Sequence, residues 1–311
     1  MMQKSLLQRC SQPAFMQLAS VQHRDFAVSE KQLRIRMKSV NSIRKITKAM
    51  KMVSASKMKQ DLMRLENGKS YGVNAVDMIF KSDQFMQRKM GTEPNDPAVV
   101  LVPITSDKGL CGAVNSTIVR DVKRLVPELN RSKTQIFSIG EKGSVGFVRP
   151  FPDILRTSIT QIGTPYNYPT VMALAEHIIQ EGEQSDKIMI VYNEFKSAIA
   201  QEPTLEKLLP IEPTEAWMDE HQHVSSDTLF EPTRNAVLDA LLPLHIHVQL
   251  FRAMLESVAS EMGARMTAMD NATNNATDLL DRLTVQYNRA RQAAITTELM
   301  EITSGAEALK G

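Results

Sequence analysis

Residues 244–303 read LHIHVQLFRAMLESVASEMGARMTAMDNATNNATDLLDRLTVQYNRARQAAITTELMEIT. The stretch contains no proline and a single glycine, Gly263. Phe251, Leu255, Val258, Met262, Met266, Met269, Thr273, Ala276, Leu280, Leu283, Tyr287, Ala290 and Ala294 recur at steps of three or four. That spacing keeps one side of a helix against a partner helix. Unbroken, the segment would run about 90 Å at 1.5 Å per residue, well beyond the usual helix of about 11–12 residues. Such a helix needs a partner along its stripe. Pro243 marks a kink site at its start.

The only other segment of comparable length is residues 30 to about 85. Met37, Val40, Ile43, Ile46 or Thr47, Met50 and Val53 form one helical stripe there. No proline interrupts before Pro94, and Gly68 and Gly72 mark a bend. About 50 residues would give roughly 75 Å of helix. An antiparallel pair satisfies both stripes, and seam residues that are small (Ala, Thr) or flexible (Met) let the two helices lie close.

Between the helices the period changes. Thr92–Pro97 is a linker by composition. Ala98–Ile104 is a continuous apolar run, as in a strand buried on both faces. Ser116–Val126 and Val171–Gln180 carry helical patterns, and Thr134–Ile139 and Lys187–Tyr192 read as strands. Strands alternating with helices predict an α/β layer domain with a parallel sheet. The expected organisation is a targeting segment over 1–26, a long helix over 27–90, the α/β domain over 96–212, an acidic loop over 213–232, and a second long helix over 233–311.

The first 26 residues hold Lys4, Arg9 and Arg24 against one acid, Asp25. This is the composition of a mitochondrial transit peptide, and Arg24-Asp25-Phe26-Ala27 predicts cleavage between Phe26 and Ala27. The chain has 37 Lys/Arg and 35 Asp/Glu; without that segment's three bases and one acid, 34 of each remain. The remainder is neutral, yet residues 31–60 carry ten Lys/Arg and no acid. Phosphate neutralisation would use such a stretch, but no aromatic or recognition element is interleaved with it; an acidic protein surface or solvent are the other readings. No run of about 18 apolar residues exists, so no membrane-spanning helix is expected. Cys10 leaves with the first segment and Cys111 stays alone, so no intrachain disulfide is expected.

Catalytic signals are weak. Ser106-Asp107-Lys108-Gly109-Leu110-Cys111-Gly112 follows a strand and precedes a helix, where phosphate loops occur. Its spacing matches neither the P-loop nor the dinucleotide fingerprint, and a tight strand-to-helix turn fits it better. Cys111 reads as a small buried residue rather than a nucleophile. His245 and His247, like His221 and His223, are two apart and share no helix face. No cofactor and no metal is expected.

The run Ile43-Arg44-Lys45-Ile46-Thr47-Lys48-Ala49-Met50-Lys51-Met52-Val53-Ser54-Ala55-Ser56-Lys57-Met58 resembles the N-terminal signature of the ATP synthase gamma subunit family. Ser106–Gly112 with Asn115 resembles its central motif. Ser260-Glu261, Ala264–Ala272 and Asn288–Leu299 resemble its C-terminal signature. The resemblance implies an antiparallel coiled coil with an inserted Rossmann-like α/β domain. It implies a central rotor shaft, not an enzyme by itself, with the chemistry in the beta subunits. Partners would be the hexamer of three alpha and three beta subunits, the delta and epsilon stalk subunits, and the c-ring, on the matrix side of the mitochondrial inner membrane. It further implies beta-subunit contacts at Met50, Lys51, Arg265, Arg291, Gln292, Thr296 and Glu298. An ion pair is the alternative for Arg291 and Glu298. Phe230 and Glu231, in a segment just before the long helix, would face the c-ring; the alternative is a helix-start turn set by Pro232.

Overall fold

A computed structural model describes residues 30–69, 98–182, 185, 187–197, 201–208 and 234–309. Phe26 and Ala27, the linker, the histidines at 221 and 223, and Phe230 and Glu231 lie outside them. The chain divides into two compact units: residues 40–280, and residues up to 39 together with those from 281.

In the larger unit, β1 (Val99–Pro103), β2 (Thr134–Ile139), β3 (Leu155–Ile159), β4 (Lys187–Phe195) and β5 (Gln201–Leu208) form one sheet in the order β3-β2-β1-β4-β5. The first four are parallel, with Leu101 opposite both Ile136 and Met189. β5 runs antiparallel along β4, from Ile188 opposite Leu208 to Phe195 opposite Gln201.

Alternation along β1 divides its apolar run between two cores, because successive side chains point to opposite faces. Val99 and Leu101 join Ile136, Met189 and Val191 beneath α2 (Val114–Leu125) and α3 (Glu141–Val148), with Ile118, Val122 and Phe147. Val100, Val102 and Ile104 join Phe137, Ile188, Ile190 and Tyr192 on the other face. There they meet Val171, Ala175 and Ile178 of α4 (Tyr168–Glu181) and Ile246, Leu250, Ala253 and Met254 of α5 (Arg234–Ala308). Burial on both faces is what makes a parallel strand read as an unbroken apolar run. α5 is thus one of the helices that close the sheet, and it continues through Pro243.

α1 spans Glu30–Gly68; the expected bend at Gly72 and the rest of the expected helix lie outside the described residues. Its covered positions include a line through Leu33, Met37, Val40, Arg44, Thr47, Lys51, Ser54, Met58, Asp61 and Leu65, at alternating steps of four and three. This corrects the expected stripe in part. Met37, Val40 and Met50 are half-buried and Thr47 is buried, but Ile43, Ile46 and Val53 are more than half exposed. Between Leu33 and Leu65, the fully buried residues of α1 are small and polar. Thr273 donates its hydroxyl to Thr47 Oγ1 at 2.8 Å, and Ser54 is buried. In the larger unit the α1–α5 pairing is antiparallel, because Thr47, Lys51 and Leu65 meet Thr273, Asp270 and Leu255 in turn. On α5, Met269, Ala276 and Leu283 of the expected seam are buried. In the smaller unit Tyr287 donates to Glu30 Oε1 at 2.8 Å, joining the two helices there.

The elements not expected are α3, β3 and β5. β5 holds Pro203, which is tolerated because the strand is at the edge of the sheet. β3 alternates half-buried and exposed residues with little apolar content. Gly140, at φ 96°, starts α3, and a Cβ there would stand 2.1 Å from Thr105 O; only glycine fits.

Candidate functional site

The central motif forms a closed turn between β1 and α2. The Ser106 N–H donates to Asn115 Oδ1 at 3.0 Å, and Ser106 Oγ donates to Lys108 O at 2.7 Å. Asn115 Nδ2 donates to Cys111 Sγ at 3.2 Å. Leu110 and Gly112 both take positive φ, 65° and 61°. Asp107 Oδ1 accepts the Glu141 N–H at 3.0 Å, at the first turn of α3. These bonds close the turn on the chain itself, as a tight strand-to-helix turn requires. Cys111 is buried against Val114 and Ala264, and burial pushes its thiol up. A raised thiol has little thiolate and makes a poor nucleophile.

α5 is fastened to this turn. Arg265 Nη2 donates to Gly109 O at 3.2 Å and to Lys108 O at 3.4 Å, and it pairs with Glu261 one turn earlier. Both side chains are nearly covered. Burial pushes the Glu261 carboxyl above its ordinary range, with Arg265 only partly opposing. Ser260 Oγ donates to Asn193 O at 3.0 Å, and Asn193 Nδ2 donates to Val114 O at 3.2 Å. Residues 260–265 of α5 are therefore hydrogen-bonded to β4 and to the 106–112 turn, and β4 in turn to α2. Tyr166 stands beside it, its phenol pushed up by burial and by the charges of Glu261 and Asp107.

The residues expected to touch beta subunits are placed in three ways. Arg291, Gln292, Thr296 and Glu298 are exposed. Thr296 Oγ1 donates to Gln292 O at 2.9 Å, and among the described residues neither Arg291 nor Glu298 makes an ion pair. Met50 is half-buried, and Lys51 Nζ pairs with Asp270 Oδ1 at 2.7 Å while staying 40 % exposed. Arg265 is buried, and its guanidinium is bound within this chain. Its backbone partners are 156 and 157 residues away in sequence, beyond any helix-periodicity signal.

Among the described residues, no cluster of three or more His, Cys, Asp or Glu is arranged to hold a metal ion. His245 and His247 are buried in α5, and burial pushes His247 below its ordinary range, opposed by Glu176. Among the described residues no helix is long and apolar enough to cross a membrane.

The larger unit is of the class in which an α/β layer domain is inserted between two antiparallel-paired helices and hydrogen-bonded to the second of them. A family model described as ATP synthase matches residues 29–309. The ATP synthase gamma chain of Geobacter metallireducens is 40 % identical over 290 residues, covering 91 % of this chain and 99 % of that one. That of Erythrobacter litoralis is 39 % identical over 293 residues, covering 90 % and 99 %. The chain belongs to the ATP synthase gamma-subunit family, the central stalk of the F1 rotor. The gamma subunit is non-catalytic; catalysis is by the beta subunits. A chain in a structure of the Tetrahymena thermophila mitochondrial ATP synthase central stalk and c-ring is 42 % identical, with a TM-score of 0.61 over 73 % of this chain and 99 % of that one. A chain in the Euglena gracilis mitochondrial enzyme, at 22 % identity and a TM-score of 0.69 over 90 % and 94 %, shares the fold.

Proposed function

We propose that this chain is the rotor shaft of a mitochondrial proton-transporting ATP synthase. The sheet domain stands on the c-ring beside the delta and epsilon subunits, on the matrix side of the inner membrane. The paired terminal helices turn inside the hexamer of three alpha and three beta subunits and shift each beta subunit between its conformational states.

One observation carries this reading. Residues 291–309 of the chain are exposed throughout, yet they hold Ile295, Leu299, Met300, Ile302 and Leu309. A helical end with apolar residues and no cover from its own chain suits a sleeve supplied by others. Arg291, Gln292, Thr296 and Glu298 lie at the start of this stretch, free to make polar contacts that differ between states of a neighbour, as biasing a conformational equilibrium requires. Met50 and Lys51 line the basic face that meets acidic loops of beta. Exposed ion pairs suit a moving contact because each is worth only about 0–1 kcal/mol. Arg265, bound to the 106–112 turn within this chain, is proposed to meet beta as well. Phe230 and Glu231 are proposed to face the c-ring.

The mitochondrial reading rests on the basic, acid-poor first 26 residues and on the likeness to a ciliate mitochondrial stalk. The family match begins at residue 29, just past the expected cut between Phe26 and Ala27. Purification of the chain from mitochondria tests the proposal. Recovery with three alpha and three beta subunits per copy, and a mature N-terminus at Ala27, is the expected result. Recovery of the chain alone overturns the shaft reading, and an N-terminus upstream of Arg24 overturns the cut.

A further inference from the structure

The side chain of Glu256, in α5, is 2 % exposed. Its Oε1 lies between two cations. Lys69 Nζ, one residue past the end of α1, and Arg252 Nε, one turn back on α5, both lie at 3.3 Å. Arg252 reaches further: Nη2 donates to the Tyr192 hydroxyl on β4 at 3.3 Å, and Nη1 to Gln249 Oε1 at 3.2 Å. One buried carboxylate thus ties the end of α1 and α5 to an inner strand of the sheet. The helices are also in close contact here. A Cβ on Gly68 would come within 2.8 Å of Leu255 Cδ1, and Leu65, Leu255 and Ala259 form an apolar cluster.

Stability does not account for Glu256. Burying a carboxylate costs several kcal/mol, repaid only when its remaining hydrogen-bonding capacity is filled. Its Oε2 is buried and has no donor among the described residues. What the group supplies is direction. Apolar contact is non-directional, so a purely apolar contact lets one helix roll on another. A carboxylate held by cations from two elements fixes both distance and angle. Glu261, five residues on, lies about 140° further round α5 and is held through Arg265 to the turn side. The helix is therefore gripped from two directions.

We propose that Glu256 is a positioning residue that locks α1 and α5 to the sheet, so that twist applied to the sheet domain reaches both helices without roll. This rests on the shaft reading above. Its loss softens the shaft in torsion and leaves the chemistry of the beta subunits unchanged. The test uses the assembled hexamer complex fixed to a surface, with a probe on the sheet domain and the angular spread of the probe recorded during pauses in ATP-driven rotation.

Glu256→Gln is expected to raise the angular variance about twofold, since it removes the charge that holds both cations, at wild-type ATP turnover without load. Lys69→Met, which removes only the cation from α1, is expected to move the variance the same way by less, and Lys69→Arg to hold it at the wild-type value. Unchanged variance in Glu256→Gln overturns the proposal. Should that variant not assemble, unchanged variance in Lys69→Met overturns it instead. A wild-type chain that neither assembles nor turns refutes the shaft reading itself, before any variant is compared.

Discussion

Asp153 and Glu261 both stand beside an arginine, and they titrate in opposite directions. Asp153 is out in solvent, bidentate with Arg131 at 2.6 and 2.7 Å, and the guanidinium holds it down at about 2. Glu261 is covered, and burial outweighs Arg265. The signs of linkage differ accordingly. The Asp153 contribution is present above its ordinary 3.8 and lost as pH falls toward 2. The Glu261 contribution is present below its ordinary 4.5 and lost as pH rises through its raised value. Thermal midpoints measured across pH should therefore diverge. Asp153→Asn should match wild type at the acid end, fall slightly behind as pH rises from about 2, and keep that small deficit above 3.8. Glu261→Gln should gain on wild type as pH rises from 4.5; a steady loss over that range would reject the burial argument. Arg265→Ala leaves a buried acid without its cation, and should cost about 3–5 kcal/mol in denaturant unfolding.

The α1 seam sets a limit on what hydrophobic periodicity can read. A search for apolar residues at helical spacing picks Ile43, Ile46 and Val53, and these face outward. The buried line runs through Thr47 and Ser54 instead, because close helix approach favours small side chains and a hydroxyl can be satisfied across the seam. Thr47→Leu should therefore destabilise by about 1–3 kcal/mol through overpacking, despite being more apolar. Ile46→Gln should leave stability within about 0.5 kcal/mol and instead weaken assembly with the hexamer; urea unfolding and copurification read the two effects separately. The α5 seam was legible because Met269, Ala276 and Leu283 are both apolar and buried. The inner strands were legible because burial on both faces leaves no polar interruption. β3 and β5, at the two sheet edges, carry no such run. The Glu256 hub joins residues from α1, α5 and β4, a convergence that only the fold creates.

Across the whole chain, α5 belongs to two environments. From His245 to Arg265 nearly every residue is covered, and from Arg291 to Leu309 none is. The first stretch closes the sheet core, so its amides open only with that core. The second has backbone hydrogen bonds but few apolar contacts of its own, the condition for low local stability. Hydrogen exchange on the isolated chain should show slow amides over 245–265 and fast ones over 291–309, with the boundary between them. Assembly with alpha and beta should then protect 291–309 while leaving 245–265 unchanged. Equal protection of both stretches in the isolated chain would mean that the terminal turns need no sleeve. The tip sharpens the same argument. Ala306 and Ala308 are exposed and small, so Ala306→Lys with Ala308→Glu should leave the thermal midpoint of the isolated chain in place. In the assembled complex the two charges must enter an apolar sleeve and lose water, a cost that burial of an unpaired charge always carries. Rotation under ATP should slow, or the complex should fail to form; wild-type rotation with both charges present would mean that the tip does not turn against an apolar surface.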